Sequence, residues 1–427
     1  MLIDRDTERI FADAASARRR GEAVAIATIV GVEGSAYRRE GARMLIRAEE
    51  VYGVLSAGCL EDDAIRAGRE VLATSEARLL TYDSRHEDDA LWGWGSGCRG
   101  LIHVLVQIPD ANVFGALSSE LTAGRGAVMG TVVAARDGGI GDVSGNAGGG
   151  IGDVTGGAAD GASGDTADAR TNGASCGTGD LLGVHAVRLE SGKIVGSRGT
   201  ATAVPPVLEH TDEFSDPAFF AVERSGRLTP LAEFPRVLPE GTSCVVLVEP
   251  ICPAPRVLII GAGADAVPLS AVAVQAGFRT MVADHRPAGA VRERFPDVDE
   301  VLATAPERMP EGYITPNTYV VVMTHQFEWD SRWLALLADS PAPYIGLIGP
   351  RERTRRLFEH LEGETGGSDA ARKLRPRLYN PLGLDVGGRG PGPIAVAVAA
   401  EILAVLHGRA PDHLRNTDRS GESNGGG

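Results

Sequence analysis

The second half of the chain alternates between short, almost continuous apolar runs and segments long enough to form helices. An uninterrupted apolar run is typical of a strand that is buried on both faces, as in a parallel sheet covered by helices. The runs are Arg256 to Ile260, Thr280 to Ala283, Tyr319 to Met323 and Tyr344 to Ile348. This pattern predicts a Rossmann-like, doubly wound parallel sheet.

The last apolar segment, Pro393 to His407, has the pattern of a helix that is apolar almost all round except at Glu401. Such a helix is expected to be buried. We expect Glu401 to be paired with an arginine there, because a buried charge without a partner is costly.

The first half of the chain has shorter and more separated elements. Residues 5 to 20 and Asp62 to Thr74 have helical patterns. Short β-rich runs separated by Gly, Glu and Arg turns predict strands. These runs are Ala23 to Val32, Ala42 to Arg47, Val51 to Leu55, Leu101 to Ile108 and Ser243 to Val248. The predicted fold class is therefore α/β, with an N-terminal α+β domain joined to a C-terminal Rossmann-like domain.

A Gly-rich segment interrupts the first domain. From Asp137 to Gly179 the chain has no aromatic residue, and Gly138 to Gly145 recurs almost unchanged 11 positions later. This composition cannot form a core and predicts a disordered insertion. The predicted organisation is a cysteine domain at 1–136, the insertion at 137–180, a continuation of the first lobe at 181–250, the Rossmann-like domain at 251–410 and a disordered tail at 411–427.

The composition restricts the cellular compartment and the classes of binding partner that we expect. The 427 residues carry a net charge of −15, which argues against broad binding of nucleic acid or anionic membranes. The N-terminus is too charged for a secretory signal and no apolar run approaches the length of a membrane span, so we expect a cytoplasmic protein. The five cysteines include no CxxC pair and indicate free thiols in a reducing compartment.

A dinucleotide-binding fingerprint follows the first strand of the second half. Gly261 and Gly263 form a GxGxxA turn, and Asp284 ends the next strand 21 positions after Gly263. In this context the glycines let the backbone approach a pyrophosphate, and the acid bonds a ribose hydroxyl. Asp265 and Pro268 fit a phosphate site poorly. The sequence is therefore equally compatible with a Rossmann domain that binds a dinucleotide and with one that binds another ligand or none.

Further polar side chains follow the other predicted parallel strands. His285, His325 and Arg351 each follow a strand in the loop at its carboxyl end, where ligands bind in such sheets. If they converge, they form a site for an anionic ligand. If they do not, each is an ordinary solvated loop residue.

Two cysteines lie on glycine-rich turns in the first domain. Cys59 follows Gly58 just before a predicted helix, and Cys98 follows Gly97 just before a predicted strand. A helix N-terminus stabilises a thiolate, so this setting indicates a site for a soft metal or an electrophile. Arg43, with Arg38 and Arg39, offers an anion site near the same turn or forms surface ion pairs.

Several segments resemble the XdhC and CoxI type accessory proteins of molybdenum hydroxylases. They are Gly34 to Leu45, Ser56 to Glu61, Gly95 to Gly100, Gly261 to Gly263, Asp284 to Pro287, Val322 to His325, Tyr344 to Arg351 and Pro381 to Gly387. Ala57 stands where the family usually has glycine, and Arg99 where it has Gly or Asn. The resemblance covers residues 23 to 108 and 243 to 408.

The resemblance implies a chaperone that holds the molybdenum cofactor, protects it and delivers it to an apo-hydroxylase. Cys59 or Cys98 would then be the molybdenum ligand, since molybdenum accepts soft sulfur donors. The glycine turns would approach the pterin, and the pterin phosphate or a nucleotide extension would occupy the Rossmann crevice. The implied partners are the apo-hydroxylase, the proteins that make or sulfurate the cofactor, and a second copy of the chain.

Two other functions stay open at this point. The first is an NAD(P)-dependent oxidoreductase, with His325 as the proton donor beside the nicotinamide. The second is a redox sensor based on the Cys59 thiolate.

Overall fold

The computed structural model describes residues 5–56, 58, 60–83, 100–135, 182–197, 204–209, 216–223, 227–235, 238–363, 367–413 and 415. The chain divides into two compact units, Met1–Pro253 and Ala254–Gly427. The predicted insertion at 137–180 lies outside the described residues, as does most of the predicted tail.

The described helices and strands have the following bounds. The helices are α1 (Arg5–Arg19), α2 (Glu61–Thr74), α3 (Ala111–Thr122), α4 (Pro205–Glu209), α5 (Ala266–Gln275), α6 (Ala288–Arg292), α7 (Phe327–Ala338), α8 (Arg351–Gly363), α9 (Gly367–Leu374) and α10 (Pro391–Leu406). The strands of the first unit are β1 (Ala25–Gly34), β2 (Arg43–Ile46), β3 (Val51–Gly53), β4 (Arg78–Asp83), β5 (Gly100–Gln107), β6 (Ala127–Ala135), β7 (His185–Leu189), β8 (Ile194–Gly196), β9 (Ala218–Glu223), β10 (Leu228–Leu231) and β11 (Thr242–Ile251). Those of the second unit are β12 (Arg256–Ile260), β13 (Arg279–Asp284), β14 (Glu300–Ala303), β15 (Thr318–Val322), β16 (Tyr344–Leu347) and β17 (Leu378–Tyr379).

The first unit contains two antiparallel sheets in its described part. One has the order β3-β2-β1-β5-β4 and the other β10-β9-β11-β6-β7-β8. Helix α2 covers one face of the first sheet, while α1, α3 and the second sheet pack on its other face. Strand β1 is therefore buried on both sides, which explains why an antiparallel strand reads as an unbroken apolar run.

The sequence patterns did not predict the second sheet of this unit. They contained one of its strands, Ser243 to Val248, which lies within β11. Strand β5, which corresponds to the predicted run Leu101 to Ile108, is an inner strand between β1 and β4. Helix α3 and strand β6 follow it in the same unit, so the chain continues into a second layer.

The second unit confirms the predicted doubly wound parallel sheet. Its strand order is β14-β13-β12-β15-β16-β17, and every described pairing is parallel. Helices α5, α6 and α10 pack on one face, and α7, α8 and α9 on the other. The strand order reverses between β12 and β15, and this switch point opens a crevice at the carboxyl ends of the two strands.

The last helix differs from its prediction in two respects. Helix α10 buries one face, including Ala395, Val398 and Ile402, but leaves Val396 exposed, so the helix lies on the sheet surface and is not enclosed. Glu401 has no arginine partner among the described residues. Its Oε2 accepts the Tyr344 hydroxyl at 2.7 Å and the Gly383 N–H at 2.9 Å, because the helix passes over the end of β16.

No helix in the described part of the chain is both long enough and apolar enough to cross a membrane.

Candidate functional site

The turn that precedes α2 is organised around the Glu61 carboxylate. Its Oε1 accepts the N–H groups of Ser56 at 2.7 Å and Leu55 at 3.2 Å. Its Oε2 accepts the Ser56 hydroxyl at 2.5 Å and the Leu60 N–H at 3.2 Å. Burial acts to raise the pKa of Glu61, but these hydrogen bonds outweigh it and lower the pKa on balance. Glu61 is therefore an anion that holds the turn closed.

Ser56 fixes the same turn from the other side. Its Oγ accepts the N–H groups of Gly58 at 3.2 Å and Leu60 at 3.1 Å. Gly58 has φ = +112°, a conformation that side-chain-bearing residues rarely adopt. Cys59 lies outside the described residues, but the positions on either side of it are both held by hydrogen bonds to side chains. The loop with Gly97 and Cys98 also lies outside the described residues.

Arg43 is used by the core of the first unit. Its side chain and that of Glu249 are each 1% exposed, and Arg43 Nη2 lies 2.6 Å from Glu249 Oε2. Arg43 Nη1 also donates to the Gly41 carbonyl at 2.7 Å, and the guanidinium lies over the Phe11 ring. The structure thus explains Arg43 as a buried ion pair joining β2 to β11, without requiring a ligand.

In the second unit, the fingerprint glycines are explained by contacts within the chain. Gly261 has φ = +108°, and a Cβ there would come within 2.6 Å of the Met323 carbonyl oxygen at the end of β15. A Cβ on Gly263 would come within 2.6 Å of Asp265 Oδ1. The lack of a side chain at both glycines therefore lets other atoms of the chain lie close to their backbone.

Asp284 binds the same turn. Its Oδ2 accepts the Ala262 N–H at 2.7 Å, and both oxygens accept Arg286 guanidinium N–H groups at 2.8 Å. Burial acts to raise the pKa of Asp284, but the Arg286 and Ala262 hydrogen bonds lower it far below its ordinary range. The Ala262 carbonyl in turn accepts from Arg294 at 2.8 Å. A ribose hydroxyl would have to displace these partners to reach Asp284.

An aromatic stack borders this half of the crevice. The His285 and Trp329 rings stack with centroids 4.6 Å apart and an interplanar angle of 10°. They come from the segments after β13 and β15. We call the region formed by Ala262, Asp284, Arg286, His285 and Trp329 the closed half of the crevice.

The other half of the crevice contains an Asp–His pair. His325 Nε2 lies 2.5 Å from Asp265 Oδ2. His325 has φ = +61°, which is unusual for a residue with a side chain and is typical of strained functional positions. Asp265 stands at the N-cap of α5, yet its side chain makes no capping hydrogen bond. The carboxylate is directed to His325 and leaves the helix end uncapped.

A cavity of about 260 Å³ opens beside this pair. Helix α5, the ends of β15 and β16, and the first turns of α10 form its walls. Its apolar lining includes Leu269, Met323, Ile348, Leu382, Ile394 and Val398. We call this region, with Asp265 and His325 at its polar edge, the open half of the crevice.

Arg351 does not line this cavity. It is exposed at the start of α8. The sequence patterns missed a buried group nearby: Asp330, fully buried, forms an ion pair with Arg353 at 2.7 Å and accepts the Thr324 hydroxyl at 2.5 Å. This group ties α8 to the residue before His325. The sequence feature that could have revealed this group is an acidic residue, Asp330, on the otherwise apolar face of α7.

The cysteines that the structure describes, Cys244 and Cys252, have ordinary settings. Cys244 is buried in β11, and burial raises the pKa of its thiol to about 11. Cys252 is partly buried and unpaired by a disulfide. Within the described residues, no cluster of three or more His, Cys, Asp or Glu side chains could hold a metal ion.

Two family models match this chain, one in each unit. The family model described as the XdhC Rossmann domain matches residues 257–402, and that of the XdhC and CoxI family matches residues 17–83. A Bacillus subtilis protein, named as a probable xanthine dehydrogenase subunit, is 28% identical over 384 residues, which are 90% of this chain and 93% of that protein.

Two further similarities differ in extent. A Bacillus halodurans protein, whose crystal structure is described as that of a xanthine dehydrogenase, has a TM-score of 0.64 and 26% identity, covering 96% of this chain and 98% of that one. The uncharacterized Escherichia coli protein YqeB is 30% identical over 165 residues, only 38% of this chain and 29% of that protein.

Proposed function

Because the chain belongs to the XdhC and CoxI family, we propose that it is an accessory protein that binds the molybdenum cofactor, protects it and delivers it to a molybdenum hydroxylase. The client would be of the xanthine dehydrogenase or carbon monoxide dehydrogenase type. The name of the Bacillus subtilis relative, which aligns along nearly the whole chain, supports a xanthine dehydrogenase as client.

The observation that carries this proposal is the turn held by Ser56 and Glu61. It fixes Gly58 and Leu60, the sequence neighbours of Cys59, and this supports Cys59 as the soft donor for molybdenum. The first turn of α2 carries Glu61, Asp62 and Asp63, and their charge opposes a thiolate. We therefore expect the thiol to lose its proton when the metal binds. Cys98 is the second candidate ligand.

The NAD(P)-dependent oxidoreductase has weaker support. A dinucleotide needs hydrogen-bond donors for its pyrophosphate and a free acid for its ribose. Here Asp284 already binds Ala262 and Arg286, and the Asp265 carboxylate lies against Gly263. The Asp265 carboxylate places a negative charge at this turn, which opposes a pyrophosphate.

The test is the molybdenum and pterin content of the full-length protein purified from a host that makes the cofactor. We expect near-stoichiometric cofactor in the wild type and its loss in Cys59→Ala or Cys98→Ala. Cys252→Ala is the matched control and should keep the cofactor. A wild type without cofactor, carrying NAD(P) instead, would contradict the proposal and favour the oxidoreductase.

A further inference from the structure

The helices that cover the two faces of the parallel sheet differ in charge. On one face, α7, α8 and α9 carry charged side chains that form ion pairs at the surface, such as Arg355 with Glu352. On the other face, α5 has no charged residue, and α10 has Glu401 alone. Glu401 accepts hydrogen bonds from the Tyr344 hydroxyl and the Gly383 N–H. Apart from this engaged carboxylate, α5 and α10 are uncharged.

The outward sides of α5 and α10 are apolar as well. The two helices pack side by side and share one core with the sheet. On each helix the outward positions are four and three residues apart, so they form one stripe. We call the two stripes together the α5–α10 face, which consists of Val267, Ala271, Val274, Val396, Ala400 and Leu403. Val396 is 55% exposed, so solvent reaches this face.

The lack of charge on this face indicates the kind of partner that it fits. Apolar contacts are typical of permanent homodimers, whereas proteins that associate transiently use interfaces about as polar as the rest of their surface. The chain carries a net charge of −15, so two copies repel each other over an ordinary part of their surface. Contact through an uncharged face keeps this repulsion smallest. The partner that fits the α5–α10 face is therefore a second copy of the chain.

We propose that two copies associate through their α5–α10 faces around a twofold axis, with the two α10 helices antiparallel and crossing at Ala400. A twofold contact places the same residue of both copies at the axis, so a small residue there lets the helices approach closely. Ala400 meets this need, since it lies between Val396 and Leu403 in the outward stripe of α10.

The charges at the two ends of α10 fit an antiparallel arrangement. Asp385 and Arg389 are exposed before the helix, and Arg409 and Asp412 are exposed after it. In an antiparallel crossing, the end that precedes α10 in one copy lies beside the end that follows α10 in the other. Each end has both an acid and a base, so opposite charges can pair across the contact.

The size of the face sets the expected affinity. Helix α10 has 16 residues, so at a rise of about 1.5 Å per residue it is about 24 Å long. With about 10 Å between adjacent helices, the face measures about 24 by 20 Å in each copy. Two such faces bury about 1,000 Å² in total, the lower limit for a specific interface. We therefore expect a dissociation constant of about 1 to 10 μM.

The first experiment is sedimentation equilibrium of the full-length protein over about 1 to 100 μM. We expect a monomer–dimer equilibrium in the wild type. Val396→Lys should raise the dissociation constant at least about 100-fold, because the dimer would bury an unpaired ammonium group from each copy. Val51→Lys, the same change at an exposed valine of the first unit, is the matched control and should associate like the wild type.

The second experiment tests the twofold axis. Ala400→Lys and Ala400→Glu each place like charges opposite each other, so either variant alone should be monomeric. An equimolar mixture should recover dimers, since a lysine then faces a glutamate. Val396→Lys keeps the proposal testable if a substitution at the half-buried Ala400 impairs folding.

Dimerisation through this face does not depend on the molybdenum cofactor. A wild type that dimerises in this way without holding molybdenum would keep the dimer and contradict the proposed function. A monomeric wild type, a Val396→Lys protein that associates like the wild type, or a folded Ala400 mixture that stays monomeric would each overturn the dimer. A monomer whose binding to an apo-hydroxylase is lost in Val396→Lys would assign the face to the hydroxylase instead.

Discussion

Two strand-to-helix turns, one in each unit, place a carboxylate beside a helix N-terminus and use it differently. Glu61 in the first unit accepts hydrogen bonds from Leu55, Ser56 and Leu60, so the carboxylate stabilises its own turn. Asp265 in the second unit makes no capping bond and faces His325 beside a cavity. The same residue class thus serves the fold in one turn and remains accessible to a ligand in the other.

The difference has a physical basis in where each acid stands. Glu61 reaches back over its turn from the first helical position and accepts the N–H groups of Leu55, Ser56 and Leu60. At the second turn the Ala262 N–H is accepted from outside the turn, by Asp284 on the next strand. The Asp265 side chain makes no hydrogen bond that caps α5.

The largest effect is expected at the first turn. Glu61→Gln replaces an acceptor of several hydrogen bonds by a group with only one acceptor oxygen. Because the carboxylate is partly solvated, we expect a loss of about 2 kcal/mol in the free energy of unfolding, measured by urea denaturation. Asp62→Asn, an exposed acid one position along, is the control. An equal effect in both variants would show that helix charge, and not the turn, is responsible.

The next effect concerns the acid that closes the second turn. Asp284→Asn should cost about 1 to 2 kcal/mol at neutral pH, since it removes a charged acceptor of Ala262 and Arg286. The folded pKa of Asp284 is lowered, so its contribution is fully present above its unfolded pKa of about 3.9 and is lost as the pH falls through the lower folded value.

The measurement is the stability difference between wild type and Asp284→Asn across pH 7 to pH 3. The difference should shrink once the pH falls below about 4. A difference that stays constant would mean that the carboxylate charge does not contribute.

A smaller effect tests the backbone beside the cavity. His325→Gly and His325→Ala both remove the contact with Asp265, so their difference reports the cost of the positive φ. We expect the glycine variant to be more stable by about 1 kcal/mol, the reverse of the usual order, because alanine is disfavoured in the left-handed region. Thermal unfolding of the two variants under matched conditions measures this. Greater stability of the alanine variant would argue against a strained residue.

The smallest effect on stability is expected for the acid that lacks a capping role. Asp265→Asn should change the free energy of unfolding by less than about 0.5 kcal/mol. Asp265→Ala should behave in the same way. A loss comparable to that of Glu61→Gln would remove the distinction between the two turns.

The sequence predicted the parallel sheet of the second unit well because its strands are buried on both faces and read as unbroken apolar runs. The second sheet of the first unit was missed for the opposite reason. Strands such as β7, β8 and β10 are short and partly exposed, and the Gly-rich segment separates β6 from its partner β7.

The candidate site was predicted only in part, since side-chain partners depend on tertiary contacts that local patterns do not contain. The pattern identified His325 and Asp284 at strand ends, but could not reveal that Asp284 binds Arg286 or that His325 faces Asp265. Arg43 was a candidate for an anion, and its partner Glu249 lies more than 200 positions away. Cys59 and Cys98 remain predictions.

The most direct test of the proposed function is transfer of the cofactor. Full-length protein loaded with molybdenum cofactor is incubated with an apo-xanthine dehydrogenase, and hydroxylase activity is followed together with the molybdenum that stays on the chain. We predict that activity appears in proportion to the molybdenum lost from the chain, and that Cys59→Ala protein gives none. Molybdenum that stays bound while the hydroxylase remains inactive would contradict delivery, and a chain that never acquires molybdenum would contradict binding.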